Sequence, residues 1–146
     1  MTADQILKWM LRIIGTSGLF AVIFVAAPYS WMDSIHATLG MGRLPDEPIV
    51  GYLARSTSAL YAIMGGLFWV VSLDLERHRR VLTYLGVVVA LFGVTLLVVD
   101  WSEGMPLLWT IWEGPVTVVF GLAMLFLARR TGSVRGASRR QRLAGY

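Results

Sequence analysis

The fold of this chain is decided by residues 81–99, which read VLTYLGVVVALFGVTLLVV and contain no charged side chain. Because an α-helix rises about 1.5 Å per residue, this stretch can cross a hydrocarbon core of about 30 Å. Three more apolar segments of sufficient length lie at about 9–27, 48–73 and 106–128. The sequence therefore predicts four membrane-spanning helices.

The composition of the chain supports the same prediction. Its 146 residues are 56% hydrophobic and 15% charged, which is too apolar for a water-soluble domain of this size. The chain has no cysteine, so disulfides, thiolate metal sites and thiol redox chemistry are excluded. We expect a single all-α domain over residues 1–130, an integral membrane four-helix bundle. A signal peptide ending at Ala27 is the alternative interpretation of the first segment.

The positive charges predict the orientation of the spans. If the chain crosses four times, eleven of its 13 Lys and Arg residues fall on one side, at the N-terminus, in the 74–80 turn and from Arg129 onward. By the positive-inside rule that side is cytoplasmic, which places both termini inside a bacterial inner (plasma) membrane. Residues 131–146 form a basic tail with nothing to pack against, which we expect to be disordered. We interpret the net charge of +4 as a topology signal and predict no nucleic-acid partner.

The first outer loop has the pattern of a short helix. A Ser-x-x-Asp cap signal starts at Ser30. Apolar residues then recur every four positions, at Trp31, Ile35 and Leu39. We predict a helix over about 31–39 that is too short to span and lies in the outer interface. His36 is a candidate proton donor, ligand or sensor on this helix, and the alternative is a polar-face histidine exposed to water or headgroups.

Glycines recur at seven-residue spacing in the last two spans, at Gly86 and Gly93 and at Gly114 and Gly121. Residues seven apart lie nearly on one helix face. In lipid, contact between helices depends on small residues and on interhelical hydrogen bonds. We therefore predict an antiparallel bundle in which the last two spans pair tightly.

Two charged residues lie inside predicted spans. Arg55 is about seven residues into the second span and Glu113 about seven into the fourth, so both lie about 10 Å below the outer surface. An unpaired charge at such depth costs roughly 2.5–3.5 kcal/mol. We expect the two to pair, with Asp100 as a third member and Tyr61 near enough in sequence to contribute its hydroxyl.

This group of residues has two interpretations. In the functional one, an outward-facing polar pocket lies under the interfacial helix, Arg55 holds an anionic or carbonyl-bearing ligand, and Glu113 or Asp100 exchanges protons. In the structural one, a salt bridge locks two helices. The sequence shows no nucleophile with its base and no phosphate loop, so we predict no catalytic residue, no metal site and no cofactor.

Several segments resemble uncharacterised small bacterial inner-membrane proteins, namely residues 28–32 with Ile35 and His36, residues 48–56, and Trp112-Glu113-Gly114-Pro115. In general layout the whole chain is similar to the DoxX-like group of four-helix membrane proteins. Some members of that group are linked to quinone or thiosulfate oxidation. The resemblance therefore implies a membrane oxidoreductase subunit as one candidate function, without implying a catalytic residue in this chain.

Three functions are compatible with these observations. The leading one is a non-enzymatic accessory or scaffold protein in the lipid bilayer, which associates with itself as a homo-oligomer or with a larger membrane complex. The second is a small-ligand binding or transport module around Arg55 and Glu113. The third is the DoxX-like oxidoreductase subunit.

Overall fold

The computed structural model describes residues 1–131 of the chain. Six helices follow one another in this part: α1 (Ala3–Phe20), α2 (Ile23–Ala26), α3 (Tyr29–Thr38), α4 (Pro48–Leu73), α5 (Arg79–Ser102) and α6 (Leu107–Arg130). Apart from Thr131, the tail predicted over residues 131–146 lies outside the described residues.

Four helical segments within residues 1–131 are long and apolar enough to cross a membrane. The first is Ala3–Ala26, made of α1 and α2, and the others are α4, α5 and α6. This confirms the predicted all-α, four-span bundle. The first span begins at Ala3 rather than near residue 9 because Thr2 and Gln5 form a capping box, in which each side chain accepts a hydrogen bond from the other's backbone N–H.

The helices α1 and α4 pack as one antiparallel hairpin around a glycine contact. Gly15 and Gly18 of α1 lie against Gly65 of α4. A Cβ atom added at Gly65 would lie 2.5 Å from the Gly15 carbonyl oxygen and 2.6 Å from the Leu19 nitrogen. The two backbones can approach this closely only because these positions have no side chain.

The helices α5 and α6 form the second hairpin, which is the most extensive helix contact in the described chain. Gly86 lies against Gly121, and Gly93 lies against Gly114. A Cβ atom at Gly93 would lie 2.6 Å from the Val118 nitrogen. The two glycine stripes noted in the sequence therefore face each other and set the antiparallel register of this hairpin.

The two hairpins join mainly between α1 and α6. Phe68 of α4 also meets Phe120 of α6 edge to face, with ring centroids 5.7 Å apart. The apolar core lies toward the end of the bundle that holds Ala3 and Arg130, and it comprises Leu7, Leu11, Phe68, Val71, Leu82, Leu85, Met124 and Ala128. The polar candidates inside the spans lie toward the opposite end, away from this core.

The short outer helix is present but starts earlier than predicted. It begins at Tyr29, directly after Pro28, and no side chain caps its first turn. The predicted cap at Ser30 is therefore wrong, because Ser30 is already helical. The apolar stripe is exposed, with Trp31, Ile35 and Leu39 at 58%, 45% and 47% of their full accessibility. An exposed apolar stripe on a short helix is consistent with a position in the membrane interface.

Candidate functional site

Arg55 lies on α4 and connects this helix to the end of the first span. Its Nη1 donates a hydrogen bond to the Val25 carbonyl, and its Nη2 donates to the Ala27 carbonyl at 3.0 Å. A cation at the carbonyl end of a helix also interacts favourably with the helix dipole. The guanidinium therefore provides hydrogen-bond donors to the carbonyl end of the first span.

The carbonyls that Arg55 contacts belong to the last turns of the first span, which are wound more tightly than a regular α-helix. Backbone hydrogen bonds run from residue i to residue i−3 at Ala21, Val22, Phe24 and Val25. Pro28 then ends the span and has no N–H to donate. The last carbonyls of a helix have no partner within the helix, and lipid supplies none. Arg55 provides donors for two of them.

Glu113 has a different partner, on its own helix. Trp109, one turn earlier on α6, donates from its indole Nε1 to Glu113 Oε2 at 2.5 Å. Glu113 is partly buried and lies next to Gly114, in the contact with α5. The structure thus gives Arg55 and Glu113 separate hydrogen-bond partners and does not bring them together as a pair.

Asp100 is the one charged residue among the buried side chains of residues 1–131, at 4% exposure, and its Oδ2 has no hydrogen-bond partner. It continues the α5 stripe of Gly86 and Gly93 at seven-residue spacing, so it lies on the face that meets α6. Because Gly86 lies against Gly121 and Gly93 against Gly114, the same antiparallel register places Asp100 opposite the first turn of α6.

The other predicted members lie on neighbouring helices, and in the register of the second hairpin Glu113 lies six residues, about 9 Å along α6, from the position opposite Asp100. It interacts electrostatically with Asp100 of α5 and with Tyr61 of α4. Tyr61 is 43% exposed, whereas Asp100 is buried. We call Asp100, Glu113 and Tyr61 the acidic site. It combines two carboxylates and a phenol from three helices, at the end of the bundle away from the apolar core.

The outer loop is fastened to α3 by side chains that share one face of the helix. Tyr29 donates to the Pro45 carbonyl, Asp33 accepts from the Leu44 N–H at 2.8 Å, and His36 Nδ1 lies 2.9 Å from the Gly42 carbonyl oxygen. Since a carbonyl only accepts, this contact assigns the proton to Nδ1 of His36. The structure therefore places His36 in a loop contact, apart from the acidic site.

Sequence reasoning missed a second arginine contact, in the half of the α1–α4 hairpin nearer the N-terminus of α1. The Arg12 guanidinium lies 5.0 Å from the centroid of the Trp69 ring, and its Nε donates to the Ser72 hydroxyl at 3.4 Å. Trp69 donates in turn to the Thr16 hydroxyl at 3.0 Å. Arg12 and Arg55 thus connect the same two spans on either side of their glycine contact. This contact follows from the packing of Gly15 and Gly18 against Gly65, which decides which residues of the two helices face each other. The sequence alone does not show that register.

A cavity of about 530 Å³ opens at the end of the bundle that holds Ala3 and Arg130, and its lining includes Asp4, Lys8, Asp74 and Arg130. These residues come from the start of α1, the turn after α4 and the end of α6. The N-terminus, the middle turn and the end of the last helix therefore meet at one end of the molecule, as four crossings require.

Within residues 1–131 no three His, Asp or Glu side chains come together in the manner of metal ligands. Comparison with protein-family models, with curated proteins and with solved structures gave no match. The fold and the site define the class of the protein: it is a multi-pass membrane protein of four spanning helices, with an acidic site at one end of its last hairpin.

Proposed function

We propose that this protein is a non-enzymatic component of the bacterial inner membrane, an accessory or scaffold subunit that associates with itself or with a larger membrane complex. The observation that carries the proposal is that Arg12 and Arg55 both make contacts between helices. A charge inside a span is a functional candidate by default. Here both guanidinium groups are engaged in contacts between the first and second spans.

Native mass spectrometry of the protein released from membranes in lipid nanodiscs tests this role. We expect a mass equal to two or more copies of the 16.2 kDa chain, or a stoichiometric complex with a defined second subunit. A single chain that carries only lipid would contradict the scaffold proposal.

The proposed orientation has both termini in the cytoplasm. It is supported by the eleven Lys and Arg residues that a four-span chain collects on one side. Because the chain has no cysteine, single cysteines can be introduced at Ser34, Glu103 and Ser133. An impermeant maleimide applied to intact cells should label the first two positions and reach the third only after the membrane is opened. The opposite labelling pattern would overturn the orientation.

A small-ligand binding or transport module is the second candidate, and Asp100 is the observation that favours it. Its buried Oδ2 has no donor within the described residues, and buried polar groups in proteins nearly always have a partner. The ligand would bind at the acidic site, not between Arg55 and Glu113. A small molecule retained by the wild-type protein in native mass spectrometry should be lost with Asp100→Asn and kept with Glu103→Gln. If Asp100→Asn also keeps it, the ligand lies elsewhere.

The DoxX-like layout supports a third proposal, an oxidoreductase subunit. It rests on the resemblance of the segments around residues 28–36, 48–56 and 112–115. An absorption spectrum of the purified protein would show haem, and organic extraction would show a quinone. A preparation without either group would contradict this proposal.

A further inference from the structure

We propose that the end of the bundle that holds Ala3 and Arg130 carries a binding site for the phosphate group of an anionic phospholipid. The site is an open cavity of about 510 Å³, which we call the arginine cavity, and its lining comprises Glu76, Arg77, Arg79, Arg80 and Thr83. The proposal goes beyond the three candidate functions, because it involves neither the acidic site nor the contacts of Arg12 and Arg55.

The arginine cavity lies at the depth of lipid headgroups. Residues 81–99 have no charged side chain and measure about 28 Å along a helix that rises about 1.5 Å per residue. This length is close to the thickness of the hydrocarbon core, about 30 Å. Arg79 and Arg80 directly precede this stretch at the start of α5, and Arg77 lies in the turn before it. When α5 spans the bilayer, the three guanidinium groups therefore lie at the level of the lipid phosphates.

The cavity carries positive charge that the described chain does not neutralise. Three arginines and one glutamate give its described lining a formal charge of +2. Within residues 1–131 no hydrogen bond or ion pair uses the guanidinium of Arg77 or Arg80. The first turn of α5 also contains no acidic residue. A phosphate group would supply the missing negative charge, and guanidinium groups match phosphate oxygens in charge and in geometry.

Arg79 connects the cavity to the last helix. Its Nη2 donates a hydrogen bond to the Arg129 carbonyl oxygen at 3.4 Å, and the Thr83 hydroxyl donates to the Arg79 carbonyl oxygen at 3.0 Å. Because a guanidinium has five N–H donors, this single contact leaves others for a phosphate. The cavity is therefore built where the start of α5 meets the end of α6.

An exposed apolar face of α5 continues from the cavity toward the middle of the span. Tyr84, Val87 and Leu91 follow Arg80 at spacings of four, seven and eleven residues, which place all four on one side of the helix. The three apolar side chains are 66%, 43% and 63% exposed. The glycine stripe that packs on α6 lies on the other side. An acyl chain can therefore lie along this face while the phosphate is bound at Arg80, which favours a lipid over free phosphate as the ligand.

Native mass spectrometry of the full chain in mild detergent tests the proposal. The probes are phosphatidylglycerol and phosphatidylcholine in equal amounts, with identical acyl chains and different net charge. We expect the wild-type protein to retain phosphatidylglycerol in preference to phosphatidylcholine. Each arginine close to an anionic lipid strengthens binding about fivefold, so Arg80→Gln should lower the preference about fivefold and the Arg77→Gln, Arg80→Gln double variant about 25-fold.

The matched control is Arg129→Gln. Arg129 is exposed like Arg80 and lies at the same end of the bundle, but its side chain does not line the cavity. The substitution removes the same charge, and salt screens exposed charges that are not in contact with the lipid. We therefore expect the lipid preference to change by less than about twofold. Circular dichroism should show the same helix content in all variants.

Three results would overturn the proposal. The first is a wild-type protein that retains both lipids equally. The second is a preference that survives in the Arg77→Gln, Arg80→Gln double variant, or that falls as much with Arg129→Gln as with Arg80→Gln. The third is displacement of phosphatidylglycerol by an excess of inorganic phosphate, which would make the ligand a soluble phosphate. Retention of the lipid in that excess supports the phospholipid site.

Discussion

Arg55 of the second span donates a hydrogen bond to the backbone carbonyl of Val25 at the end of the first span. A second bond to the Ala27 carbonyl completes the contact at 3.0 Å. The charge therefore lies where a helix presents unpaired carbonyls, and this explains how an arginine can be accommodated inside a span without a carboxylate. Because its guanidinium is used in this contact, Arg55 is not part of the candidate ligand site.

Replacement of Arg55 by glutamine should destabilise the protein. Two charge-assisted hydrogen bonds are lost, each of which contributes about 1.5–3 kcal/mol, although a glutamine amide can replace one of them partly. We expect the free energy of unfolding to fall by about 2–3 kcal/mol, measured by denaturant titration in mild detergent with circular dichroism. Arg43→Gln in the exposed loop should change it by less than about 0.5 kcal/mol. Equal effects at the two positions would contradict the helix-end role of Arg55.

A double-mutant cycle tests whether Arg55 acts through the carbonyls of the first span or through a salt bridge with Glu113. In the structure the two residues have separate partners. The effects of Arg55→Ala and Glu113→Ala on unfolding free energy should therefore add within about 0.3–0.5 kcal/mol in the double variant. A double variant that is more stable than the Arg55→Ala single variant would show that the two charges are coupled, in disagreement with the contacts seen.

Two adjacent glycines on α4 provide a matched test of the first hairpin. A Cβ atom at Gly65 would collide with the Gly15 backbone, whereas the nearest atom to a Cβ at Gly66 is a Leu19 methyl group at 3.9 Å. Gly65→Ala should therefore lower the unfolding free energy by about 1–3 kcal/mol through overpacking. Gly66→Ala should leave it unchanged or raise it by up to about 1 kcal/mol, because alanine restricts the unfolded chain. Similar losses at both positions would argue against the α1–α4 contact.

The four spans could be predicted from sequence because length and hydrophobicity alone decide whether a helix crosses lipid. The facing stripes of α5 and α6 could also be anticipated, since Gly86, Gly93, Gly114 and Gly121 repeat at a spacing that follows helix geometry. The outer helix was found from its apolar periodicity. Its start was misplaced by two residues, because Pro28 directly precedes the first helical residue, Tyr29, and the Ser30 signal lies inside the helix.

The partners of the buried charges could not be predicted in the same way. Counting residues from the start of a span gives the depth of a residue in the membrane. By this count Arg55 and Glu113 lie at the same depth. Which residues meet also depends on the rotation and register of each helix, and Gly15 and Gly65 set these for the first hairpin. That register places Arg55 beside Val25 and Arg12 beside Trp69. Asp100 was identified as a candidate, but its burial became visible only with the α5–α6 packing.

The contact between Tyr29 and the outer loop should depend on pH in the alkaline range. Partial burial, and then the carboxylates of Asp46 and Asp33, raise the pKa of Tyr29 above its ordinary value of 10.0. The neutral hydroxyl donates to the Pro45 carbonyl, and a phenolate cannot. The contribution of this bond to loop docking is therefore fully present below pH 10.0 and is lost as the pH rises through the raised pKa.

Ultraviolet absorption of tyrosinate measures this titration. The difference between the wild-type curve and the Tyr29→Phe curve isolates Tyr29, and we expect its midpoint above pH 10.0. Asp46→Asn removes the carboxylate with the larger effect on the pKa of Tyr29, so the midpoint should move toward lower pH in that variant, because a nearby negative charge opposes formation of the phenolate. A midpoint that stays unchanged with Asp46→Asn, or that lies below pH 10.0 in the wild-type protein, would contradict the docking of the outer loop against Tyr29.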